Sequence, residues 1–112
     1  MALSPELLKG TVEPLLLRLL QEQPRYGYEL IKIVNDRSNQ ALQWKEGTIY
    51  PWLHRLEGDG LIASEWVGPE AGRQRKYYRL TTKGERRLTQ VAGEWTAFSA
   101  AVNVLLFGPT PA

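Results

Sequence analysis

The chain has 112 residues, of which 43% are hydrophobic and 23% charged, so its size and composition are those of one folded domain. It contains no cysteine and a single histidine, His54, which excludes disulfides, thiolate chemistry and zinc sites built from cysteines or several histidines. No apolar run is long enough to span a membrane, and no secretory signal is visible. We therefore expect a cytoplasmic protein without a membrane partner, metal or cofactor.

The net charge of +2 is unevenly distributed along the chain. Residues 73–87 carry seven basic side chains and one acidic side chain, a local charge of +6, whereas the remaining residues together carry −4. A concentrated basic segment suits the phosphates of nucleic acid or an anionic membrane surface, although most charged runs are simply solvated. Because Tyr77 and Tyr78 lie within this segment, we favour a binding role over a solvated face.

The first part of the chain is predicted to be helical. A short helical segment over 4–9 precedes a helix over 11–21, for which Thr11 is the expected cap. The next helix opens around Tyr26 and ends in the polar run 35–39.

A further helix begins within a residue or two of Gly47. Pro51 limits this start, because a proline without a backbone N–H is tolerated only in the first turn. One face carries a buried apolar stripe, formed by Ile49, Leu53 and Leu56. The segment 58–60 reads GDG and ends the helix.

After this helix the pattern changes to that of a β-hairpin. Strands are predicted over 61–67 and 74–80, joined by the turn-forming segment 68–72. The second strand is basic, and its Arg79 is a candidate partner for Glu65 across the hairpin.

The last helix is predicted to start at Thr82, which forms a capping box with Glu85, and to run to about Phe107. Its apolar residues recur at spacings of three and four, which is typical of a helix packed against another helix. These seam residues are Leu88, Val91, Trp95, Phe98, Val102 and Leu105. Since the preceding elements already supply a core, we favour packing against a second copy, with packing inside the domain as the alternative.

The order helix, helix, helix, hairpin describes a winged helix-turn-helix. The predicted fold class is therefore mainly α with a small β-hairpin, a winged helix-turn-helix followed by a long C-terminal dimerisation helix. The expected divisions are a DNA-binding domain over 1–81, the dimerisation helix over 82–108 and a tail over 109–112.

Three segments carry a resemblance to a known family. They are 27–30 (GYEL), 47–57 (GTIYPWLHRLE) and 72–81 (GRQRKYYRLT). In this order and spacing they resemble the second helix, the recognition helix and the second wing strand of PadR-type transcriptional regulators. The resemblance covers residues 10 to about 85, and the single C-terminal helix is similar to that of the short PadR subfamily.

The resemblance implies a homodimeric repressor that binds an inverted-repeat operator. It also implies that the C-terminal helix packs on the partner, often near the partner's first helix. Family members respond to phenolic acids, drug-like aromatic compounds or other stress signals. Pro14 and Trp52 depart from the family's pattern: Pro14 stands in place of an ordinary helix former, and Trp52 in place of what is typically a small residue.

Several residues are candidates for DNA contact. Helical geometry places Thr48, Trp52 and Arg55 opposite the buried stripe of the recognition helix. The full set is Lys45, Thr48, Tyr50, Trp52, His54, Arg55, Arg73, Arg75 and Lys76. The hydroxyl of Tyr50 suits a phosphate but is equally typical of a half-buried tyrosine. Arg55 has an alternative partner in Asp59.

The aromatic residues Trp95 and Phe98 have two interpretations. They line an aromatic small-molecule site where two last helices meet, or they are plain dimer core. The leading hypothesis is a ligand-responsive repressor whose partners are double-stranded DNA, a second copy of the chain and an aromatic effector. The alternatives are a constitutive repressor and a winged helix that binds other proteins. No catalytic residue is predicted, because the sequence lacks nucleophile and phosphate-loop motifs.

Overall fold

The computed structural model describes residues 3–109. The helices are α1 (Pro5–Leu8), α2 (Val12–Glu22), α3 (Gly27–Arg37), α4 (Glu46–Gly58) and α5 (Thr82–Phe107). The strands are β1 (Arg25–Tyr26), β2 (Ile62–Val67) and β3 (Arg75–Leu80). Helices α3 and α4 form the helix-turn-helix, β2 and β3 form the wing, and α5 follows the wing. The predicted fold class is confirmed. Of the predicted tail, 109–112, only residue 109 lies within the described residues.

The sheet contains a third strand that the sequence did not predict. The strand order is β1-β3-β2, and both pairs are antiparallel. β1 has two residues, Arg25 opposite Tyr78 and Tyr26 opposite Tyr77. Two residues are too few to show the alternation by which strands are recognised. This strand joins the start of α3 to the wing.

Arg25 anchors β1 although it is charged and only 6% exposed. Its Nε donates to the carbonyl oxygen of Leu19 at 3.2 Å, and its guanidinium lies 2.9 Å from Glu22 and 3.8 Å from Glu29. Burial alone raises the pKa of Glu22, but hydrogen bonds from Arg37 and Arg25 outweigh it and leave the pKa lowered. The buried charge is thus paired on several sides, which is the condition for burying it at tolerable cost.

One apolar core joins the helices to the sheet. Its largest fully buried side chains are Leu16, Leu17, Leu30, Ile49, Leu53, Leu56 and Ile62. The predicted stripe on α4 is confirmed, whereas the burial of Trp44 in the loop before α4 was not predicted. Asn35 holds that loop: its Oδ1 accepts the N–H of Trp44 at 2.7 Å and its Nδ2 donates to the carbonyl of Trp44 at 3.0 Å.

Pro51 lies inside α4, and the prediction that it must fall in the first turn is wrong. The helix begins at Glu46, so Pro51 occupies the second turn. Proline has no N–H to donate to the carbonyl of Gly47, and α4 therefore lacks one intrahelical hydrogen bond. The buried stripe packs this helix against the core and compensates for the lost bond.

The start of α5 is held by a different threonine from the one predicted. Thr81, not Thr82, is the cap, and its Oγ1 accepts the N–H of Gly84 at 3.0 Å. The same hydroxyl lies 2.7 Å from the carbonyl oxygen of Gly60 and 2.9 Å from that of Leu61. These contacts tie the beginning of α5 to the segment between α4 and β2.

Gly84 is buried where α5 crosses the start of β2. A Cβ at this position would lie 2.0 Å from the carbonyl oxygen of Leu61 and 2.6 Å from Cδ1 of Leu80. The first of these is backbone and cannot rotate away. Only glycine therefore permits this crossing.

Helix α5 projects beyond the rest of the fold. Its first turns pack on α2 through Leu88 and Val91, and Arg87 pairs with Glu13 at 2.6 Å. The radius of gyration is 16.2 Å, whereas a compact chain of this length has about 13 Å. The excess reflects the projecting helix.

Replacing Gly84 with alanine tests the close crossing of α5 and β2. We expect Gly84→Ala to lower the free energy of unfolding by about 1–3 kcal/mol, because the added methyl group meets backbone. Gly93→Ala is the control, since a Cβ there meets nothing within 4 Å, and it should raise stability by roughly 0.5–1 kcal/mol. Urea unfolding at one protein concentration measures both. Equal effects of the two substitutions would contradict the crossing.

Candidate nucleic-acid interface

An open groove separates the wing from α3 and α4. We call it the wing groove; it has a volume of about 620 Å³. Its aromatic residues are Tyr26, Tyr28, Tyr50, Trp66 and Tyr78, and its cationic residues are Arg73, Arg75 and Lys76. The groove thus brings the predicted contact Tyr50 of α4 beside the predicted cations of the wing.

Tyr50 lies across the beginning of α3. Its ring is so close to Gly27 that a Cβ on Gly27 would lie 2.7 Å from the Tyr50 hydroxyl oxygen. Partial burial, with smaller contributions from Glu46 and Tyr78, raises the pKa of this hydroxyl. It therefore remains protonated at neutral pH and can donate a hydrogen bond to a phosphate oxygen.

The wing cations differ in their surroundings. Arg73 and Arg75 are exposed, and the guanidinium of Arg75 lies 4.6 Å from the centre of the Tyr26 ring. Lys76 is half-buried, and its Nζ lies 3.6 Å from Oε1 of Glu57. Arg73 and Arg75 are thus the more accessible to a phosphate backbone.

The predicted pairing of Arg79 with Glu65 is wrong. The wing register places Arg79 opposite Ala63, and Glu65 opposite Tyr77. The two residues are diagonal neighbours, and none of the ion pairs between described residues joins them.

The exposed residues of α4 form the second part of the interface. Lys45 is the N-cap of α4, and Thr48, His54 and Arg55 are exposed beyond it. The alternative prediction paired Arg55 with Asp59. Arg55 does not form this pair, because its guanidinium lies over the ring of Trp52 on the same helix. The four side chains occupy the outer surface of α4, and in helix-turn-helix proteins the corresponding helix enters the major groove.

Trp52 is the exception among the predicted contacts. Its side chain is half-buried and packs against the core. It lines a groove of about 450 Å³ between α4, the start of α2 and α5, together with Trp95 and Phe98. We call this the α5 groove.

The seam predicted on α5 divides into two parts. Leu88 and Val91 belong to the core of the chain itself. Beyond them, Trp95 is 48%, Phe98 60% and Leu105 85% exposed, and the rings of Trp95 and Phe98 lie 5.9 Å apart. Val102 is half-buried, and three further apolar residues of this end are exposed: Val104, Leu106 and Phe107.

Some residues of the interface were missed by sequence reasoning. Tyr26 and Tyr28 line the wing groove, and Tyr26 contacts Tyr77 of the basic segment edge-on with ring centres 5.5 Å apart. The chain has five tyrosines, and all of them lie in or next to this groove. Their clustering depends on β1, which the sequence did not reveal.

Metal sites and membrane-spanning helices are absent from the part of the chain that the structure describes. Between residues 3 and 109, no three acidic or histidine side chains are grouped so that they could hold a metal ion. None of the helices in that range combines the length and apolarity needed to cross a lipid bilayer.

A helix-turn-helix followed by a cationic wing defines the chain as a winged-helix DNA-binding protein. Comparison with known proteins identifies the family. The chain belongs to the PadR-like family of transcriptional regulators, whose model matches residues 16–90.

Similar proteins support this assignment. The chain is 40% identical over 72 residues to the transcriptional regulator Rv3488 of Mycobacterium tuberculosis, covering 64% of this chain and 53% of that protein. It resembles the structure of a transcriptional regulator from Clostridium thermocellum with a TM-score of 0.86 and 32% identity, covering 94% of this chain and 99% of that one. A PadR family regulator from Eggerthella lenta gives a TM-score of 0.81 and 38% identity, with coverages of 93% and 88%.

Substituting Gly27 tests the contact between α3 and Tyr50. A methyl group at Gly27 forces the Tyr50 ring away, so Gly27→Ala should weaken DNA binding about three- to tenfold while the fold is retained. Gly58→Ala is the control, because a Cβ there meets nothing within 4 Å. Fluorescence anisotropy with a labelled duplex measures both. If Gly27→Ala still weakens binding when Tyr50 is already alanine, its effect does not pass through Tyr50.

Proposed function

We propose that this chain is a ligand-responsive repressor that binds an inverted-repeat operator as a homodimer and acts in the cytoplasm. The observation that carries the proposal is the wing groove, which sets Tyr50 of the recognition helix beside Arg73 and Arg75 of the wing. A duplex whose major groove receives α4 would have its backbone next to these cations. Apart from Trp52, whose side chain packs against the core, the predicted DNA-contact residues of α4 and the wing keep this role in the proposal.

Dimerisation is supported by the exposed apolar part of α5. Trp95, Phe98 and Leu105 are large apolar side chains on a projecting helix, and they remain 48%, 60% and 85% exposed. Exposed apolar patches of this kind mark interaction surfaces. We propose that 82–108 is the dimerisation helix, whose exposed part beyond Val91 packs against the same helix of a second copy, while 1–81 is the DNA-binding part.

An aromatic effector is supported by the α5 groove. Its volume of about 450 Å³ is within the range of small-molecule sites, and the rings of Trp52, Trp95 and Phe98 line it. The groove lies between α5 and the recognition helix α4. A bound effector therefore favours one placement of α5 relative to α4 over another. If the chain were instead a constitutive repressor, aromatic compounds would not change its affinity for the operator.

DNA binding and the role of the wing are tested together by titrating a labelled duplex from the region upstream of the protein's own gene. We expect tight binding that weakens steeply with salt. Arg73→Ala and Arg75→Ala should each reduce the slope of log affinity against log salt by about 1.8 per dimer, since each removes a phosphate contact in both copies. Arg18→Ala is the control, because Arg18 is an exposed residue of α2 bonded to Gln21. Absence of binding at low salt would refute DNA recognition, and unchanged slopes would refute the role of the wing.

The dimer is tested by removing the exposed rings of α5. Trp95→Ala combined with Phe98→Ala should lower the association constant at least about a hundredfold, because both rings lose their partner in the interface. Trp66→Ala is the matched control, since Trp66 is a similarly exposed aromatic residue on the wing. Sedimentation equilibrium gives both constants. A wild-type monomer, or equal effects of the two changes, would contradict the α5 interface.

A further inference from the structure

The side chain of Trp52 does not extend outward from the recognition helix as helical geometry predicted. Instead, it packs against the core and lines the α5 groove. It also lines a second groove, of about 600 Å³, that includes Lys45 and Thr48 at the beginning of α4. Lys9 and Gly10 border both grooves as well. Trp52 therefore stands between the surface of α5 and the part of α4 that reads DNA.

Arg55 lies directly over this tryptophan. The guanidinium carbon of Arg55 is 4.9 Å from the centre of the Trp52 ring. The two residues are three positions apart on one helix, a spacing that makes neighbours of their side chains. Within residues 3–109, no carboxylate lies within ion-pair distance of Arg55, so the ring is the partner that orients it.

Such a contact has a direct effect on binding. An arginine stacked on an indole is attracted to the ring face and keeps fewer side-chain conformations than one extended into water. Because fewer conformations are then lost when the guanidinium meets DNA, a stacked arginine binds more tightly than an unsupported one.

We propose that Trp52 is a positioning residue that holds Arg55 for contact with DNA, and that an aromatic small molecule in the α5 groove acts on Arg55 through the same ring. The ring is common to the groove and to the stacked arginine, so an occupant that shifts the indole also shifts the guanidinium. The inference rests on the proposed function, and it names the contact of Arg55 with DNA as the one that the effector regulates.

A double-mutant cycle tests the positioning role, with operator affinity as the measurement. Arg55→Ala should weaken binding about tenfold. Trp52→Leu should weaken it by a similar factor, and the double variant should bind no worse than either single variant. Trp52→Phe retains an aromatic face and should recover part of the affinity, which also guards against a folding defect in Trp52→Leu.

Ile49→Val serves as the structural control for the cycle. It removes a methyl group from the buried stripe of the same helix without touching Arg55, so Arg55→Ala should keep its full effect in that background. Additive losses for Trp52 and Arg55, or full affinity for Trp52→Leu, would overturn the positioning role. Failure of the unaltered protein to bind any duplex would instead refute the proposed function, and with it this inference.

The second half of the proposal is tested by placing a ring in the groove covalently. Because the chain has no cysteine, Lys9→Cys gives one attachment point beside Trp52, and N-phenylmaleimide supplies the ring. Labelling should weaken operator binding at least about fivefold when Arg55 is present and have little effect when Arg55 is alanine. Labelled Gly93→Cys, on the opposite side of α5 from Trp95, should bind as the unlabelled protein does. Equal losses with and without Arg55, or no loss at all, would overturn the link.

Discussion

The carbonyl oxygen of Leu61 is the point on which the arrangement of the molecule depends. It accepts the N–H of Thr81 at 3.1 Å and lies 2.9 Å from the Thr81 hydroxyl, and Gly84 packs against it too closely for any side chain. Lys83 adds a hydrogen bond to the carbonyl of Asp59 at 2.7 Å. The end of α4, the start of β2 and the start of α5 are therefore joined by hydrogen bonds that backbone carbonyls accept. In the proposed dimer, this junction fixes how the two reading surfaces face their half-sites.

The sequence predicted those parts of the fold that repeat a pattern over several turns. The apolar stripe of α4, the hairpin and the long last helix all follow from periodicity, and the predicted fold class is confirmed. Features that depend on contacts between distant residues were missed. Thr81 and Thr82 are equally good caps by composition, and only the carbonyls of Gly60 and Leu61 favour the first. Trp44 is buried because Asn35 holds both its backbone groups, which no local pattern records.

The candidate interface, like the fold, was predicted only in part. Charge patterning located the wing cations, and helical geometry located the exposed residues of α4. Charge patterning could not show that Lys76 lies against Glu57, because that contact joins a strand to a helix. Helical geometry could not show that the Trp52 ring bends toward α5, because a helical position fixes the direction of Cβ and not the path of a long side chain. The tyrosines of β1 and α3 escaped notice because the strand that assembles them has only two residues.

In the proposed complex, two copies of this chain present α4 and the wing to one duplex, with α5 between them. A crystal structure of the protein bound to a duplex from the region upstream of its own gene would show this arrangement. We expect two chains per duplex, α4 in the major groove with Thr48 and Arg55 toward the bases, and Arg73 and Arg75 at the phosphates. A single chain on the duplex, or DNA bound away from the wing groove, would contradict it.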